Sequence, residues 1–369
     1  MTEKIEKLLN DVEKISNKYE TIAQATGGNF NIFEIVNISH KEVYMCRLLS
    51  ELLNPSGSHH QGNIYLKLFF ETLSKNYCDK FNFKTPENAE VLREEGIEGC
   101  RRIDITIDDE EHRQYLPIEV KIYAQDQKDQ CKDYLTKKAK PKYNQGENAR
   151  LCYLTIDGSL PDESSLGDIS ETEREQILAI SWRKDIIEWL DACIMHKNTI
   201  EKAPIREVLI QFKKAVQKFT NQLEENEEME IKDLILKSRD NLECAQKIYS
   251  TLFETQLEYW EKIKGKVKKE IDKHPVTDDD NWHLYYVTDN STKIGLYFNC
   301  DATKNTGIDF YNIAGVVYTN NKIEDDPYKE VNISTFICDD ENFNEKIKAY
   351  VDWIIGKIEK SKNADARNN

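Results

Sequence analysis

Two stretches decide the fold of this chain: CRRIDITI at residues 100–107 and YLPIEVKI at residues 115–122. Apolar and polar side chains alternate along both, which is typical of half-buried strands. On one face of the first arm this pattern places Ile103, Ile105 and Ile107, and on the other Arg102, Asp104 and Thr106. On the apolar face of the second arm it places Leu116, Ile118, Val120 and Ile122, opposite Glu119 and Lys121. The connector at 108–112 is too polar to be buried, so the sequence predicts a hairpin.

Two acids and one lysine are therefore expected together on one face of the sheet. Asp104 comes from the first arm, and Glu119 and Lys121 are two residues apart on the second, hence on the same side. Carboxylates are the ligands that Mg²⁺ prefers, and a bound Mg²⁺ activates water and stabilises charge on a phosphodiester. Lys121 is placed to orient the attacking water or to steady the developing charge.

The order of these residues, an Asp on one strand and an acid-x-Lys on the next, resembles the PD-(D/E)XK nuclease superfamily. Asp104, Glu119 and Lys121 match its motif, while Ile103 stands where the family pattern has proline. The resemblance covers roughly residues 30–223 and implies an α/β, restriction-endonuclease-like fold, with a mixed central sheet flanked by helices. It also implies Mg²⁺ or Mn²⁺ bound by Asp104 and Glu119, the carbonyl of Val120 as a further ligand, and Lys121 as the residue acting on the nucleophile.

A polar helix is predicted directly after Lys121, at residues 124–135. Gln127, Gln130 and Tyr134 recur in it at helical spacing. In the superfamily such a helix carries a glutamine, so Gln127 or Gln130 is expected to hold the phosphate or the nucleophilic water. The alternative is a helix whose polar face meets only solvent, and its place after the acid-x-Lys strand favours the functional interpretation.

The helix before the sheet is predicted at residues 39–53. The sequence LLNPSGSHHQG, at residues 52–62, resembles one bacterial branch of the superfamily. Glu42 is the expected third carboxylate there. It also stands three residues after Ser39, which is the spacing of a capping box, and the two interpretations stay open. Glu51 is a weaker candidate. Glu94 or Glu95, on a short strand near the hairpin, could replace Glu42, but the favoured interpretation of both is an exposed, charged strand end.

Two adjacent histidines follow the Asn-Pro-Ser-Gly turn. Their spacing does not suit a helical metal pair, and no cysteine lies close by. His60 is expected to hydrogen-bond only the turn. His59 keeps two interpretations, a turn residue or one at the edge of the site.

The composition is that of a soluble but acidic protein. Charged residues make up 32% of the chain, and the formal net charge of −16 does not favour indiscriminate binding to nucleic acid. A basic rim is nevertheless predicted just after the site, from the cluster Lys128, Lys132, Lys137, Lys138, Lys140, Lys142 and Arg150. The alternative is a solvated helix end and loop. The charge balance therefore indicates a selective or partner-delivered substrate.

The remaining features suggest location and domain organisation. Nine cysteines without a C-x-x-C pair, no signal peptide and no long apolar run predict a cytoplasmic protein without membrane contact. We expect an amphipathic helix at 1–27, a nuclease-like domain at 28–223 and an α+β accessory domain at 224–369. In the last we predict two helices, three strands (282–287, 294–300 and 307–319), and a final helix at 341–358. Its alternating aromatics are expected to be core residues more often than base-stacking ones.

The sequence thus predicts a Mg²⁺- or Mn²⁺-dependent endonuclease or phosphodiesterase. DNA is preferred over RNA as the substrate, and defence, restriction and repair are equally open as its setting. A homodimer is expected on symmetry grounds alone, and a partner protein is the other option. The alternative function is a binding or scaffold protein that uses a nuclease fold without cutting.

Overall fold

The computed structural model describes residues 2–39, 41–97, 101–122, 124, 126–271 and 273, then the strands between 283 and 332, and positions 345, 348 and 352. The chain divides into two compact units: Val12–Lys232, and Met1–Asp11 with Asp233–Asn369. The domain boundaries expected at residues 27 and 223 stay a prediction.

A five-stranded mixed sheet forms the centre of the Val12–Lys232 unit, in the order β1-β2-β3-β4-β5. Its strands are β1 (Glu90–Ile97), β2 (Arg101–Asp109), β3 (Gln114–Val120), β4 (Leu151–Thr155) and β5 (Ile177–Ser181). The first three are antiparallel, and β4 and β5 continue parallel to β3. The predicted hairpin is β2–β3, and the predicted α/β fold with a mixed central sheet is confirmed.

Helices lie before, between and after these strands. They are α1 (Thr2–Thr26), α2 (Ile32–Ile35), α3 (Glu42–Leu53), α4 (Ile64–Asn76), α5 (Gln130–Tyr134), α6 (Glu163–Leu166), α7 (Glu171–Arg174), α8 (Ile187–Met195), α9 (Lys197–Ile200), α10 (Ala203–Phe219), α11 (Glu225–Leu236) and α12 (Arg239–Ile271). A π-helical turn, Leu135–Ala139, continues α5, and another, Trp182–Ile186, leads into α8. Of the helices that the structure describes, none has the length and apolar character that a membrane crossing requires.

Two apolar clusters cover the two sides of the sheet. The larger packs the apolar residues of β3, together with Ile105 and Ile107, against α3, α4, α8 and α10. The smaller joins α5 and its π-helical extension to the strands through Tyr134, Leu135 and Tyr153. Because burying apolar surface is the main driving force of folding, these clusters fix the sheet between its helices.

Ile103 departs from the predicted alternation of β2. It packs in the smaller cluster, whereas Ile105 and Ile107 belong to the larger one. The pairing of β2 with β3 begins at Ile105–Ile118, so Ile103 lies beyond the paired part of the hairpin. Ile103 is paired there with Glu95 of β1, next to Glu94, whose left-handed φ of 56° interrupts the regular pleat and with it the period of two.

The polar connector of the hairpin is partly buried, which corrects the expectation for residues 108–112. Asp109 ends β2 with only 2% of its surface exposed. Its carboxylate lies 2.7 Å from Nδ1 of His112 and accepts a hydrogen bond from the side chain of Gln114 at 3.2 Å. Local partners therefore replace the water that burial removes.

Two predicted helix starts are wrong. The helix expected at 124–135 begins at Gln130, because Asp129 before it has a left-handed backbone with φ of 57°. The main chain of Gly167 lies against Asp129: a side chain at Gly167 would meet the Asp129 carboxylate at 2.3 Å. The helix expected from residue 39 begins at Glu42, with Lys41 before it and no side-chain cap.

The second unit contains an antiparallel sheet in the order β10-β9-β8-β7-β6. Its strands are β6 (His283–Asp289), β7 (Lys293–Asp301), β8 (Lys304–Tyr311), β9 (Ala314–Thr319) and β10 (Glu330–Asn332). The strand predicted at 307–319 is thus two strands, β8 and β9, and β10 was not predicted. The final helix expected at 341–358 and the aromatic side chains of this sheet lie largely outside the described residues.

Candidate active site

The candidate site lies where β2 and β3 separate. The pairing of β2 with β3 ends at Ile105–Ile118. Beyond it, the N–H of Val120 on β3 donates to the side-chain carboxylate of Asp104 and not to a main-chain carbonyl of β2. Oδ2 of Asp104 accepts this hydrogen bond at 2.8 Å. This bond holds the Asp104 side chain against the end of β3.

Glu119 lies at the centre of the site and is 2% exposed. Its Oε1 accepts hydrogen bonds from Nζ of Lys121 at 2.8 Å and from Nε2 of Gln130 at 2.7 Å. The other oxygen, Oε2, is buried and has no partner among the described residues. Because a buried charged oxygen is costly without a partner, Oε2 is suited to a ligand.

A chain of hydrogen bonds runs from Lys121 to the backbone of β2. Nζ of Lys121 donates to Oε1 of Gln130 at 3.1 Å, and Nε2 of Gln130 donates to the hydroxyl of Tyr134 at 3.1 Å. That hydroxyl donates to the carbonyl of Arg102 at 2.6 Å. The single-turn helix α5 places Gln130 and Tyr134 four residues apart, so both reach the site from the same side.

Glu42 connects α3 to the end of β3. It is the first residue of the helix, and its Oε2 accepts a hydrogen bond of 2.8 Å from the backbone N–H of Ile122. The carboxylate therefore satisfies a strand end, and the capping-box interpretation with Ser39 is wrong. The family resemblance predicted this residue for the site, and its partner comes from 80 residues further along the chain.

The electrostatics of the site show an excess of negative charge. Burial raises the pKa of Glu42 and of Asp104, and burial together with repulsion from Asp104 raises the pKa of Glu119 well above its usual value. Burial opposes the charge of Lys121, but attraction and hydrogen bonding from Glu119 outweigh it, and the pKa of Lys121 rises. One lysine thus faces three carboxyl groups.

A divalent cation fits this arrangement in part. Among the residues that the structure describes, no group of three or more His, Cys, Asp and Glu is arranged as a metal site. Mg²⁺, however, is usually held by one or two carboxylates and completes its shell with water and substrate phosphate. The unpartnered Oε2 of Glu119 and the repulsion between Glu119 and Asp104 suit such a cation. The roles of Asp104, Glu119 and the Val120 carbonyl as ligands stay a prediction.

Comparison with protein families decides the relationship. A family model described as the PD-(D/E)XK nuclease superfamily matches residues 30–221, which is more than half of the chain. The chain belongs to the PD-(D/E)XK nuclease superfamily. No curated protein and no solved structure matches it. Membership agrees with the fold and supports a nuclease activity with nucleic acid as the substrate.

The structure separates the two candidate glutamines. Gln130 is 4% exposed and bonded to both Glu119 and Lys121. Gln127 is exposed and precedes the helix, and its backbone N–H lies 3.4 Å from the Gln130 side chain. Gln130 therefore lies together with the carboxylate and the lysine, and its role at the phosphate or the water stays a prediction. A role for Gln127 is supported by this main-chain contact alone.

Two of the other candidate acids are engaged away from the cluster. Glu95 accepts hydrogen bonds from Tyr115 and Lys138 at 2.8 Å; burial opposes its charge, but these donors lower its pKa. Glu51 accepts from the N–H of Ser58 in the turn after α3. Neither carboxylate is therefore available as the third acid.

Glu94 is the candidate acid that acts on Asp104. It is exposed on β1. Burial of Asp104 is the main cause of its raised pKa, and the negative charge of Glu94 raises that pKa further. The carboxylate of Glu94 forms an ion pair of 3.5 Å with Arg102 at the surface. A role for Glu94 as the third acid stays a prediction.

His59 is a structural residue of its turn. Its Nδ1 accepts a hydrogen bond of 3.0 Å from the N–H of Gln61, and its Nε2 lies 3.0 Å from the carbonyl of Asn54. Both ring nitrogens are engaged, so neither offers a lone pair to a metal. His60 is exposed in a left-handed turn conformation with φ of 51°.

The basic rim predicted after the site is largely neutralised. Five of its lysines form ion pairs: Lys132 with Asp168, Lys137 with Asp133, Lys138 with Glu95, Lys140 with Glu173, and Lys142 with Asp108. The guanidinium of Arg150 donates to main-chain carbonyls, those of Lys80 and Glu147. Lys128 is exposed and has no ion pair among the described residues. The rim therefore offers little net positive charge to a phosphate.

Two supporting residues had no signal in the sequence. Asp126 accepts hydrogen bonds from the hydroxyl of Tyr153 at 2.6 Å and from the N–H of Asp162 at 2.7 Å. Tyr153 lies on β4 directly beside Glu119 of β3. These bonds anchor the segment between Lys121 and Gln130. They depend on a parallel strand pair that local sequence periodicity does not identify.

Proposed function

We propose that this chain is a divalent-metal-dependent nuclease that hydrolyses phosphodiester bonds of nucleic acid, with DNA preferred over RNA. The single observation that carries the proposal is the cluster of Asp104, Glu119, Lys121 and Gln130 at the point where β2 and β3 part. Superfamily membership and the unpartnered oxygen of Glu119 support it. Mg²⁺ or Mn²⁺ is the proposed cofactor.

In this proposal each residue of the cluster has a separate task. Asp104 and Glu119 would hold the cation, which would supply Lewis acidity that lowers the pKa of a water and stabilises charge on the phosphate. Lys121 has three N–H groups, of which two are directed at Glu119 and Gln130. The third is available to a water or to a phosphate oxygen. Gln130 holds Lys121 and Glu119 in register, and Glu42 fixes the strand end beside them.

The hydrolysis balances with water as the only co-reactant. The water oxygen forms a bond to phosphorus, the bond from phosphorus to the leaving oxygen breaks, and that oxygen gains a proton. Lys121 orients the water and steadies the negative charge that builds on the phosphate oxygens. The carboxylates cannot provide this charge stabilisation themselves, since they repel it.

We further propose an endonuclease in the cytoplasm, serving defence, restriction or repair. Six cysteines, among the residues described, are free thiols, which suits a reducing compartment. An acidic chain with a neutralised basic rim suits a selective substrate over a scavenging role. A symmetric dimer would cut both strands of a duplex.

Cleavage assays test the proposal directly. Supercoiled plasmid, linear duplex, single-stranded DNA and RNA are incubated with Mg²⁺ or Mn²⁺, and wild type is compared with Lys121→Ala and Asp104→Asn. We expect metal-dependent cutting that both substitutions reduce at least a hundredfold, on the scale of a lost transition-state donor. Lys137→Ala is the matched control, because this lysine lies on the neutralised rim.

Tight binding without cutting, unaffected by Asp104→Asn, would replace the nuclease by a binding or scaffold protein on the same fold. Cutting that persists in both variants would remove the cluster from the mechanism. Cutting of RNA alone would correct the preferred substrate and leave the site unchanged.

A further inference from the structure

Three basic residues on α3 and β1, the elements beside the candidate site, have no acidic partner among the described residues. Lys41 precedes α3, Arg47 lies within it and Arg93 lies on β1, and none forms an ion pair among the described residues. Arg47 and Arg93 are exposed, and Lys41 is half-buried. In a chain of net charge −16 whose rim lysines are paired, these three cations therefore remain available to an anionic ligand.

An aromatic ring organises two of these cations. Nζ of Lys41 lies 6.0 Å and Cζ of Arg47 lies 5.7 Å from the ring centroid of Tyr44. Lys41, Tyr44 and Arg47 follow one another at intervals of three residues at the start of α3, so they lie on one face of the helix. A cation–π contact holds a cationic group in place without cancelling its charge, unlike a carboxylate partner.

This surface adjoins the carboxylates. Glu42 of the site directly follows Lys41 at the start of α3, and on the same helix Sγ of Cys46 lies 3.9 Å from the carbonyl of Asp104. Arg93 pairs with Ile105, the residue after Asp104. Helix α3 packs against both β1 and β2, which brings Arg93 and Asp104 to the same helix.

We propose that Lys41, Tyr44, Arg47 and Arg93 form the surface that holds the phosphodiester backbone of the substrate strand beside the carboxylates. The proposal rests on the nuclease function above and names the contact surface for that same site. A phosphate meets these cations at no cost in broken ion pairs, whereas the rim lysines would first have to leave their acids. Backbone contacts of this kind position the strand without reading its sequence.

The salt dependence of binding tests this surface without requiring cleavage. The full-length chain carrying Asp104→Asn is titrated with labelled duplex DNA between about 50 and about 200 mM salt, the range over which phosphate contacts dominate. Lys41→Gln, Arg47→Gln and Arg93→Gln are then added together. Each lost phosphate contact lowers the slope of log affinity against log salt by about 0.9, so we expect a decrease of about 2 to 3.

A matched triple variant controls for overall charge. Lys132→Gln, Lys137→Gln and Lys142→Gln remove the same three positive charges from the neutralised rim. We expect its slope to change by less than about 1. Equal changes in the two triple variants would overturn the proposal, since net charge alone would explain them.

Tyr44 gives a second and finer test. Tyr44→Phe keeps a ring for Lys41 and Arg47, and its affinity should equal that of the parent. Tyr44→Ala should lose affinity by a few fold at low salt, in line with an exposed cation–π contact. Equal losses in both variants would reject the ring's role.

Failure of this surface and failure of the nuclease function give different results. If the parent chain binds nucleic acid and the triple variant of Lys41, Arg47 and Arg93 has the same slope of log affinity against log salt, the proposed surface is wrong. The nuclease function is then unaffected. A parent that binds no nucleic acid, together with a wild type that cuts none, overturns both.

Discussion

Removal of a single oxygen atom, in Tyr134→Phe, tests whether the hydrogen-bond chain behind Gln130 stabilises the site. The hydroxyl accepts from Gln130 at 3.1 Å and donates to the Arg102 carbonyl at 2.6 Å, and Tyr134 is 1% exposed. The substitution keeps the ring in its apolar cluster and removes both bonds. Each bond contributes about 0.5 to 1.5 kcal/mol, so we expect the free energy of unfolding to fall by about 2 kcal/mol.

Urea unfolding of the full-length chain measures this change. Trp182 and Trp189 are fully buried in the same unit and report its unfolding by fluorescence. The midpoint should fall while the slope with urea stays constant, since the unfolded surface is the same. For a unit of this size, about 2 kcal/mol corresponds to a decrease in melting temperature of about 4 to 8 °C.

Two further variants separate the chain of bonds from general effects. Tyr143→Phe removes a hydroxyl that donates to Asp108 at 2.7 Å in a half-buried position, and it should cost less than about 0.5 kcal/mol. Gln130→Ala combined with Tyr134→Phe should show a coupling free energy of about 1 kcal/mol, as residues in one network do. A cost in Tyr134→Phe no larger than in the control, or additive costs, would refute the reasoning.

Three other predictions follow from the site and its surroundings. Mg²⁺ or Mn²⁺ at about 100 times its Kd should stabilise the Val12–Lys232 unit by about 2.7 kcal/mol. In a thermal shift assay this is an increase in melting temperature of roughly 5 to 10 °C. Glu119→Gln should abolish the increase, and an equal increase in that variant would exclude Glu119 as a ligand. Glu42→Gln keeps an oxygen for the Ile122 N–H but loses the charge, so single-turnover cleavage should fall about 10- to 100-fold with an unchanged melting temperature. The hydrogen bond from Lys140, with others from Ser170, lowers the pKa of Glu173 to about 2. The stabilising effect of the Glu173 carboxylate is therefore present above its unfolded pKa of 4.5 and is lost as the pH falls towards 2. In acid titrations the stabilities of wild type and Glu173→Gln should converge over that range, and a constant difference would contradict the pairing.

Local sequence patterns were sufficient to predict the centre of the fold. The alternation of β3 places Leu116, Ile118, Val120 and Ile122 in one cluster, as the sequence predicts. It also brings Glu119 and Lys121 to the same side, where their side chains meet at 2.8 Å. The two-residue alternation predicts the two faces of β3 correctly, because one face is buried in the apolar cluster and the other carries the polar residues.

Predictions failed where a distant main-chain group competed with a local one. Ser39 and Glu42 have the spacing of a capping box, but the N–H of Ile122 takes the carboxylate. Gln127 has helical spacing to Gln130, but the left-handed residue Asp129 starts the helix later. Neither competitor is visible in a local window, since each requires the β3 end or the Gly167 loop to be in place first.

Charge patterning misled for a related reason. A run of lysines in sequence counts positive charges but not the acids that face them from other elements. Asp168, Glu173 and Asp108 come from a loop, a helix and a strand that the run itself does not include. The tertiary structure therefore decides which lysines are available to a ligand.

The paired rim gives this chain an unusual route to a changed substrate range. An ordinary surface gains affinity for nucleic acid by acquiring a new lysine or arginine. Here the cations are already present, and the loss of an acid would be enough: replacing the exposed Asp168 by a neutral residue would leave Lys132 with only its longer contact of 3.9 Å to Asp129. Binding strength in descendants of this sequence can thus increase by mutations that delete a carboxylate, one ion pair at a time, while every basic residue stays where it is.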